Sequence, residues 1–357
     1  MRIMDHLESV VFEITDRCNL NCRHCLNRPD CENIETEYEK IEYVVEKVAT
    51  YGTKKVYFSG GEPLLHKDLF RIISLCDRYK DIEFIITTNG LLLTEEIISA
   101  VKQRSNLLLQ FSIDGVKQDT YEYTRGNGTF ELFKQKMQLW DKSEIPRGLA
   151  RTCLNKHNYR DLENIYTYCI SHKLMPSFLY VDAIGNGKDN WDELELSLAE
   201  KIWCINTINR LNNKYVLPIA PPESPITCNF TEGFGICSLL IRADGRVAPC
   251  QFFYHSSVGN IFLDEITDIL GHKNLEQYIE IAQKRKDLLS KTEKCKKCKI
   301  RDGCSFGCIG RANELGNIMS YDGLCEHRVV TTLCYGNQII AANKYAQRPN
   351  TIVFDEK

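Results

Sequence analysis

Between residues 9 and about 213 the chain alternates short runs that are apolar at every second position with longer runs that are apolar at every third or fourth. These are the periods of a strand and of a helix with one buried face. The run 10–15 reads as a first strand. Thr36 and Glu39 then have the spacing of a capping box, and Ile41, Val44, Val45 and Val48 make a stripe that Gly52 ends. Further strands are predicted at 55–59, 83–88, 107–114, 149–154 and 178–183. The helices between them carry Leu69, Ile72, Ile73 and Cys76; then Ile97, Ile98 and Val101 behind the cap Thr94; then the segment 129–142; then Leu162, Ile165, Cys169 and Ile170. A last helix starts near Ser197, where Glu200 completes a second capping box. Six strand–helix units in succession predict a parallel sheet with its crossover helices outside. This is an α/β fold shaped as a partial (β/α)6 TIM-like barrel.

Alternation within the strands separates an outward set, which must meet apolar helices, from an inward set that is free to be polar. Phe12 and Ile14 stand against Glu13 and Thr15, and Leu109, Phe111 and Ile113 stand against Gln110, Ser112 and Asp114. By the same parity Arg151 and Cys153, and Tyr180 and Asp182, are expected in the lumen. A lumen this polar predicts a binding site, the alternative being an ordinary solvated edge.

At 357 residues and 43% hydrophobic content the chain is long enough for one large domain and a smaller one. A formal net charge of −3 argues against a charge-driven role on nucleic acid or a membrane surface. The Lys-rich run 284–299 reads as a solvated face. The chain has 17 cysteines, and its first ten residues carry Arg2, Asp5 and Glu8 rather than an apolar signal core. A reducing, cytoplasmic setting is therefore expected, in which spaced thiols mean metal rather than disulfides. No apolar run approaches the ~20 residues needed to span a bilayer. The expected division is a barrel at 1–215, a proline-rich linker at 216–227, a cysteine-rich domain at 228–330, and a helix and tail at 331–357.

Cys18, Cys22 and Cys25 follow the first strand as CxxxCxxC. Three thiolates can hold three irons of a 4Fe-4S cube and leave the fourth open, although three clustered cysteines also suit zinc. One unit later come Gly60, Gly61, Glu62 and Pro63. There the glycines permit close backbone approach, Glu62 can accept a hydrogen bond from an ammonium, and Pro63 stiffens the turn. This succession resembles the radical S-adenosylmethionine (radical SAM) superfamily. The resemblance implies a SAM-binding 4Fe-4S cluster on the three cysteines and a Gly-Gly-Glu-Pro loop that receives the methionyl amino group. It further implies ribose contacts from the loops holding Thr88, Asn89, Ser112 and Asp114, with Arg125 near the methionyl carboxylate and His24 beside adenine.

Downstream, Cys237-x7-Gly245-x4-Cys250, then Cys295-x2-Cys298-x5-Cys304-x3-Cys308, then Cys325, resembles the SPASM domain, with a first gap shorter than is usual there. The resemblance implies two auxiliary 4Fe-4S clusters. Cys228, Cys237, Cys250 and Cys308 would hold the nearer one, and Cys295, Cys298, Cys304 and Cys325 the farther. Were Cys228 not a ligand, the nearer cluster would keep an open iron for substrate. Cys31, Cys76, Cys153, Cys169, Cys204 and Cys334 fall outside these sets. Cys76, Cys169 and Cys204 read as core, and Cys153 as a hydrogen-atom donor in the lumen.

The function this implies is an oxidoreductase that generates a 5′-deoxyadenosyl radical to abstract hydrogen. The expected substrate is a ribosomally made peptide, left with a cross-link, a thioether or an oxidised side chain. A low-potential reductant such as flavodoxin or ferredoxin is the expected partner, and a separate escort protein would present the peptide, because strand one begins too early for an appended peptide-binding domain. Glu13, Arg151, Tyr180 and Asp182 are the expected substrate-facing residues. Gln251 follows Cys250 where sulfatase-maturing relatives carry an aspartate, and an amide cannot take a proton. The competing enzyme reading is a dehydrogenase or epimerase of a sugar or aminoglycoside. A non-catalytic electron-transfer or redox-sensing protein accounts for the cysteines but not for the residues at successive strand ends.

Overall fold

The computed structural model describes residues 7–26, 33–220, 222, 238–321, 325 and 329. Cys31, Cys228, Cys237, Cys334 and the expected tail lie outside that set. The amino-terminal part runs β1 (Ser9–Thr15), α1 (Tyr38–Thr50), β2 (Lys55–Gly60), α2 (Leu69–Leu75), β3 (Glu83–Thr88), α3 (Glu95–Lys102), β4 (Leu107–Ser112), α4 (Gln118–Arg125), α5 (Phe130–Lys142), β5 (Gly148–Leu154), α6 (Leu162–Ser171) and β6 (Leu174–Tyr180). Two short helices, α7 (Asn186–Asp189) and α8 (Trp191–Leu194), precede the long α9 (Leu198–Tyr215). The carboxyl-terminal part contributes β7 (Ser238–Ile241), β8 (Val247–Ala248), α10 (Ile266–Leu270), α11 (Lys273–Lys291), α12 (Glu293–Lys296) and α13 (Ile309–Glu314).

The sheet order is β6-β5-β4-β3-β2-β1-β7-β8, with β1 to β6 parallel to their neighbours, so the sheet does not close on itself and its free edges are β6 and β8. Register places Phe12 beside Phe58 and Phe58 beside Phe84, and this outward face is fully buried against the helices. The α1 stripe of Ile41, Val44, Val45 and Val48 is equally closed off. At about 25 cal/mol per Å² of apolar surface, that interface is the main source of stability. β7 adds to β1 in parallel and turns back antiparallel as β8, so the carboxyl-terminal part is joined to the barrel through the sheet itself.

Several local expectations change. Thr36 does not cap α1. The helix starts after Glu37 with no side-chain cap, and the Thr36 hydroxyl donates to the Ala243 carbonyl at 2.8 Å. Strand β6 lies four residues earlier than its apolar run suggested and ends at Tyr180. The polar helix α4 had no apolar stripe to announce it; it is anchored by Tyr121, fully buried and stacked on Phe133 at 4.6 Å. The box at Ser197 does form, with Ser197 and Glu200 bonding each other's backbone N–H. Ser197→Ala is expected to cost about 1 kcal/mol, read as a lower urea midpoint. Among the described residues no helix is long and apolar enough to cross a membrane.

Candidate functional site

The loop after β1 carries Cys18 exposed, Cys22 buried and Cys25 between the two. Three other segments hold its backbone. From one side the β2 turn reaches in: Gly61 N–H donates to the Thr15 carbonyl and Glu62 N–H to that of Arg17, each at 2.8 Å. A Cβ on Gly60 would stand 2.0 Å from the Thr15 carbonyl oxygen, and one on Gly61 2.1 Å from that of Arg17. The two glycines thus serve close approach to the cysteine loop itself, and Gly60 also holds a φ of +126°. From below, Arg23 N–H donates to the Thr124 carbonyl of α4 at 3.0 Å.

The third clasp has no motif to reveal it. Asn186 N–H donates to the Cys25 carbonyl at 2.9 Å, and its amide reaches Asn21 Oδ1 at 2.9 Å and the Cys22 carbonyl at 3.0 Å. Asn190 bonds the Arg23 carbonyl at 3.2 Å, and Arg23 pairs with Glu193 at 2.8 Å. Gly185 lies so close that a Cβ would stand 2.5 Å from the Cys25 carbonyl oxygen. Sequence spacing could not find these residues, because they sit some 160 positions away in an ordinary polar stretch.

Above the loop, the fully enclosed Glu62 carboxylate accepts from Thr88 Oγ1 at 2.7 Å, Asn89 N–H at 2.8 Å and Leu64 N–H at 3.1 Å. Burial raises its pKa and these bonds oppose the rise. The Asn89 amide reaches across to Asn19 Oδ1 at 2.8 Å. Pro63 opens a short 3-10 turn that fixes the approach. Ser112 ends β4 beside Arg151 of β5.

Asp114 was expected among ribose contacts, yet its carboxylate is occupied within the protein. Oδ2 accepts Arg125 Nε and Nη2, each at 2.6 Å, and faces His24 Nε2 at 3.2 Å, while Oδ1 accepts the Cys153 N–H at 2.7 Å. Arg125 therefore spends its fork on Asp114 and points Nη1 at Cys22 Sγ, 3.7 Å away, instead of standing free for a carboxylate. Desolvation holds His24 down to about 4, so the ring is neutral. With Nε2 turned to Asp114, the buried Nδ1 has no hydrogen-bond partner among the described residues.

The lumen-facing set is Glu13, Tyr57, Ser112, Arg151 and Cys153, followed in register by Ser177 and Leu179 of β6. Tyr180 corrects the expectation: it pairs with Leu154 on the outward face and donates to the Lys201 carbonyl at 3.1 Å. Asp182 lies beyond the strand, where parity no longer binds it, and turns inward to acidify the surroundings of Cys153. The carboxyl-terminal part reaches into the same space. Tyr254 donates to Glu13 at 3.2 Å, and Arg311 Nε meets Asp182 at 2.6 Å while its guanidinium covers Phe252.

In that part, Cys295, Cys298, Cys304 and Cys325 line one cavity of about 110 Å³ together with Leu289, Ile300 and Phe306. Cys250 and Cys308 lie on adjoining segments, since Gly310 packs on Phe252 closely enough that a Cβ would collide with it. Cys76, Cys169 and Cys204 are fully buried core residues, as expected.

The residues present fit the groups that such a fold holds. Three thiols stand on one rigidly clasped loop, an orphan buried acceptor lies beside them, and four thiols line one apolar cavity. A model of the radical SAM superfamily matches residues 12–169, and one of the SPASM iron-sulfur cluster-binding domain matches 233–299. The chain is similar to Fe-coproporphyrin III synthase of Methanosarcina barkeri, 25% identical with 88% of this chain and 87% of that protein covered. It is also similar to the mycofactocin maturase MftC of Mycolicibacterium smegmatis, at 21% identity over 84% and 77% of the two chains. Its fold is shared with Streptococcus suis SuiB bound to the precursor peptide SuiA, with a TM-score of 0.74 at 16% identity over 91% of this chain and 77% of that one. Residues 12–169 are thus a match to the radical SAM superfamily and residues 233–299 to the SPASM domain, and the cofactors these imply are a 4Fe-4S cluster with S-adenosylmethionine and auxiliary iron-sulfur clusters.

Proposed function

We propose that this protein is a radical SAM/SPASM oxidoreductase that modifies a ribosomally made peptide, by cross-link, thioether or side-chain oxidation. The observation that carries the reading is the shared lumen, in which Glu13 and Asp182 of the barrel, beside Arg151 and Cys153, meet Tyr254 and Arg311 of the SPASM part respectively. Donors and acceptors spread over both domains suit a chain of amides better than a compact apolar molecule. Likeness to SuiB, which was solved with a precursor peptide, and to a mycofactocin maturase supports the same reading.

In this reading Cys18, Cys22 and Cys25 hold the cluster, the loop of Gly60, Gly61, Glu62 and Pro63 receives the methionyl ammonium with the Glu62 carboxylate bracing that loop from within, and His24 Nδ1 accepts from the nucleotide. The bound cofactors supply reductive carbon–sulfur cleavage and hydrogen-atom abstraction. The chain supplies orientation and exclusion of water. Burial, with Asp114 and Asp182 nearby, raises the Cys153 thiol well above its ordinary value, so it stays protonated, as a hydrogen-atom donor must. Gln251 is exposed and offers no base.

The test is anaerobic incubation of the reconstituted protein with candidate precursor peptides, chosen from short reading frames near its gene, followed by mass spectrometry. Loss of two hydrogens from the peptide, coupled to 5′-deoxyadenosine release, is expected. A thiol that returns a hydrogen atom to the substrate radical leaves the peptide mass unchanged. Cys153→Ala should therefore keep both the release and the two-hydrogen loss. A product of unchanged mass that disappears in Cys153→Ala would instead assign the thiol as hydrogen-atom donor. Nucleotide release stimulated by a tetrapyrrole and not by peptide would favour the second reading, which the similarity to Fe-coproporphyrin III synthase supports.

A further inference from the structure

Each described carboxylate around the lumen already has a partner. Asp114 holds Arg125, Glu13 accepts from Tyr254, Asp182 meets Arg311, and Glu62 takes three N–H and O–H donors. Arg151, on a lumen strand, has no carboxylate partner among the described residues. Its neighbours in register are Ser112 and Ser177, and the Ser177 hydroxyl is donated away to the Ala150 carbonyl at 3.0 Å. The residue is only partly exposed, its Nε is sealed from solvent, and that atom has no acceptor among the described residues. Its electrostatic neighbours are the Tyr57 phenol and the Cys153 thiol, and no carboxylate is among them.

A desolvated guanidinium without an anion is costly, and five donors in a rigid fork match a carboxylate better than any other group. Desolvation lowers its pKa, with only Tyr57 and Cys153 opposing the shift. The guanidinium expected to meet the methionyl carboxylate, Arg125, is committed to Asp114. Arg151 thus stands without an anion among the described residues, on the lumen face, two residues before Cys153 on the same strand.

We propose that Arg151 is the receptor for a carboxylate carried into the lumen by a ligand. Two sources share that chemistry: the methionyl carboxylate of S-adenosylmethionine, and an acidic side chain or terminus of the substrate. The second source rests on the peptide reading above, and the first does not.

The experiment uses the full chain with its clusters reconstituted, as wild type, Arg151→Met and Arg151→Lys, all at matched iron content. Anaerobic equilibrium binding is measured for S-adenosylmethionine and for its decarboxylated analogue, and melting is followed with and without glutarate at constant ionic strength. If the cofactor is the source, wild type prefers S-adenosylmethionine over the analogue by about 100-fold, the size expected of a desolvated charge pair. Arg151→Met then erases the preference, while Arg151→Lys keeps part of it. If the substrate is the source, Arg151→Met binds both nucleotides as wild type does but loses the glutarate-dependent rise in melting temperature. In either case Arg151→Met should melt higher than wild type in the absence of ligand, because an uncompensated cation is gone. A purely structural arginine would do the opposite. Unchanged nucleotide preference together with an unchanged glutarate response would overturn the proposal. Should Arg151→Met fail to fold, the Lys variant decides the matter by the same two readouts. Failure here leaves the peptide assay untouched, so the two readings fall separately.

Discussion

Gly61→Ala is expected to empty the amino-terminal cluster site while sparing the auxiliary ones. The added Cβ would stand 2.1 Å from the Arg17 carbonyl oxygen, 2.4 Å from its carbon and 2.7 Å from the Asp16 carbonyl oxygen, all of them backbone atoms. No side chain is available to swing aside. Relief requires moving the strand end that leads into Cys18, and with it the bonds from Gly61 and Glu62 to Thr15 and Arg17. A change with these consequences belongs to the rare class costing more than about 4 kcal/mol locally. The purified variant should lose one cluster's share of iron and its response to S-adenosylmethionine, and keep the iron of the SPASM part, which lies on other segments.

The second large effect is that of Cys18→Ala, Cys22→Ala and Cys25→Ala made together. Release of 5′-deoxyadenosine should fall by more than about 10³-fold, since enzymes typically exceed the uncatalysed reaction by 10⁶-fold or more. The fold should survive. The loop is held through backbone carbonyls of Thr15, Arg17, Cys22, Arg23 and Cys25, and Cys18 is exposed. Cluster loss and unfolding are therefore separable by comparing iron content with the melting curve.

Much of the barrel was legible because each unit states its period clearly. The stripe of α1, the strand 83–88 and the box at Ser197 and Glu200 stand where the pattern puts them. Legibility failed where one residue's displacement decides a face. The run 178–183 is apolar enough to be a strand, but the register pairs Cys153 with Leu179 and Leu154 with Tyr180, and so Leu179 rather than Tyr180 faces inward. Thr36 had the right neighbour for a cap, and only the distant Ala243 carbonyl explains why its hydroxyl goes elsewhere. Asp114 and Arg125 stand at the strand end and at the end of α4, but sequence cannot say that they satisfy each other. The clasp of Gly185, Asn186 and Asn190 was invisible, since its chemistry is ordinary amide-to-carbonyl bonding and only the folded barrel brings it to the cysteines.

That clasp changes how the site is understood. The cysteine loop is gripped from β2, from α4 and from the segment after β6, which also carries the Asp182 that meets Arg311. The three thiols and the SPASM part are thus positioned by one continuous set of contacts. Substrate bound beneath Arg311 would lie in a fixed relation to the cofactor, a requirement for abstracting hydrogen from a single chosen carbon.

Low-temperature electron paramagnetic resonance of the reduced, anaerobically reconstituted protein tests the central claim most directly. Spectra are taken with and without S-adenosylmethionine, and those of the triple cysteine variant are subtracted to isolate the amino-terminal site. A 4Fe-4S signal that shifts when the nucleotide is added is the predicted result. Zinc at that site, or a cluster signal indifferent to the nucleotide, would contradict the account.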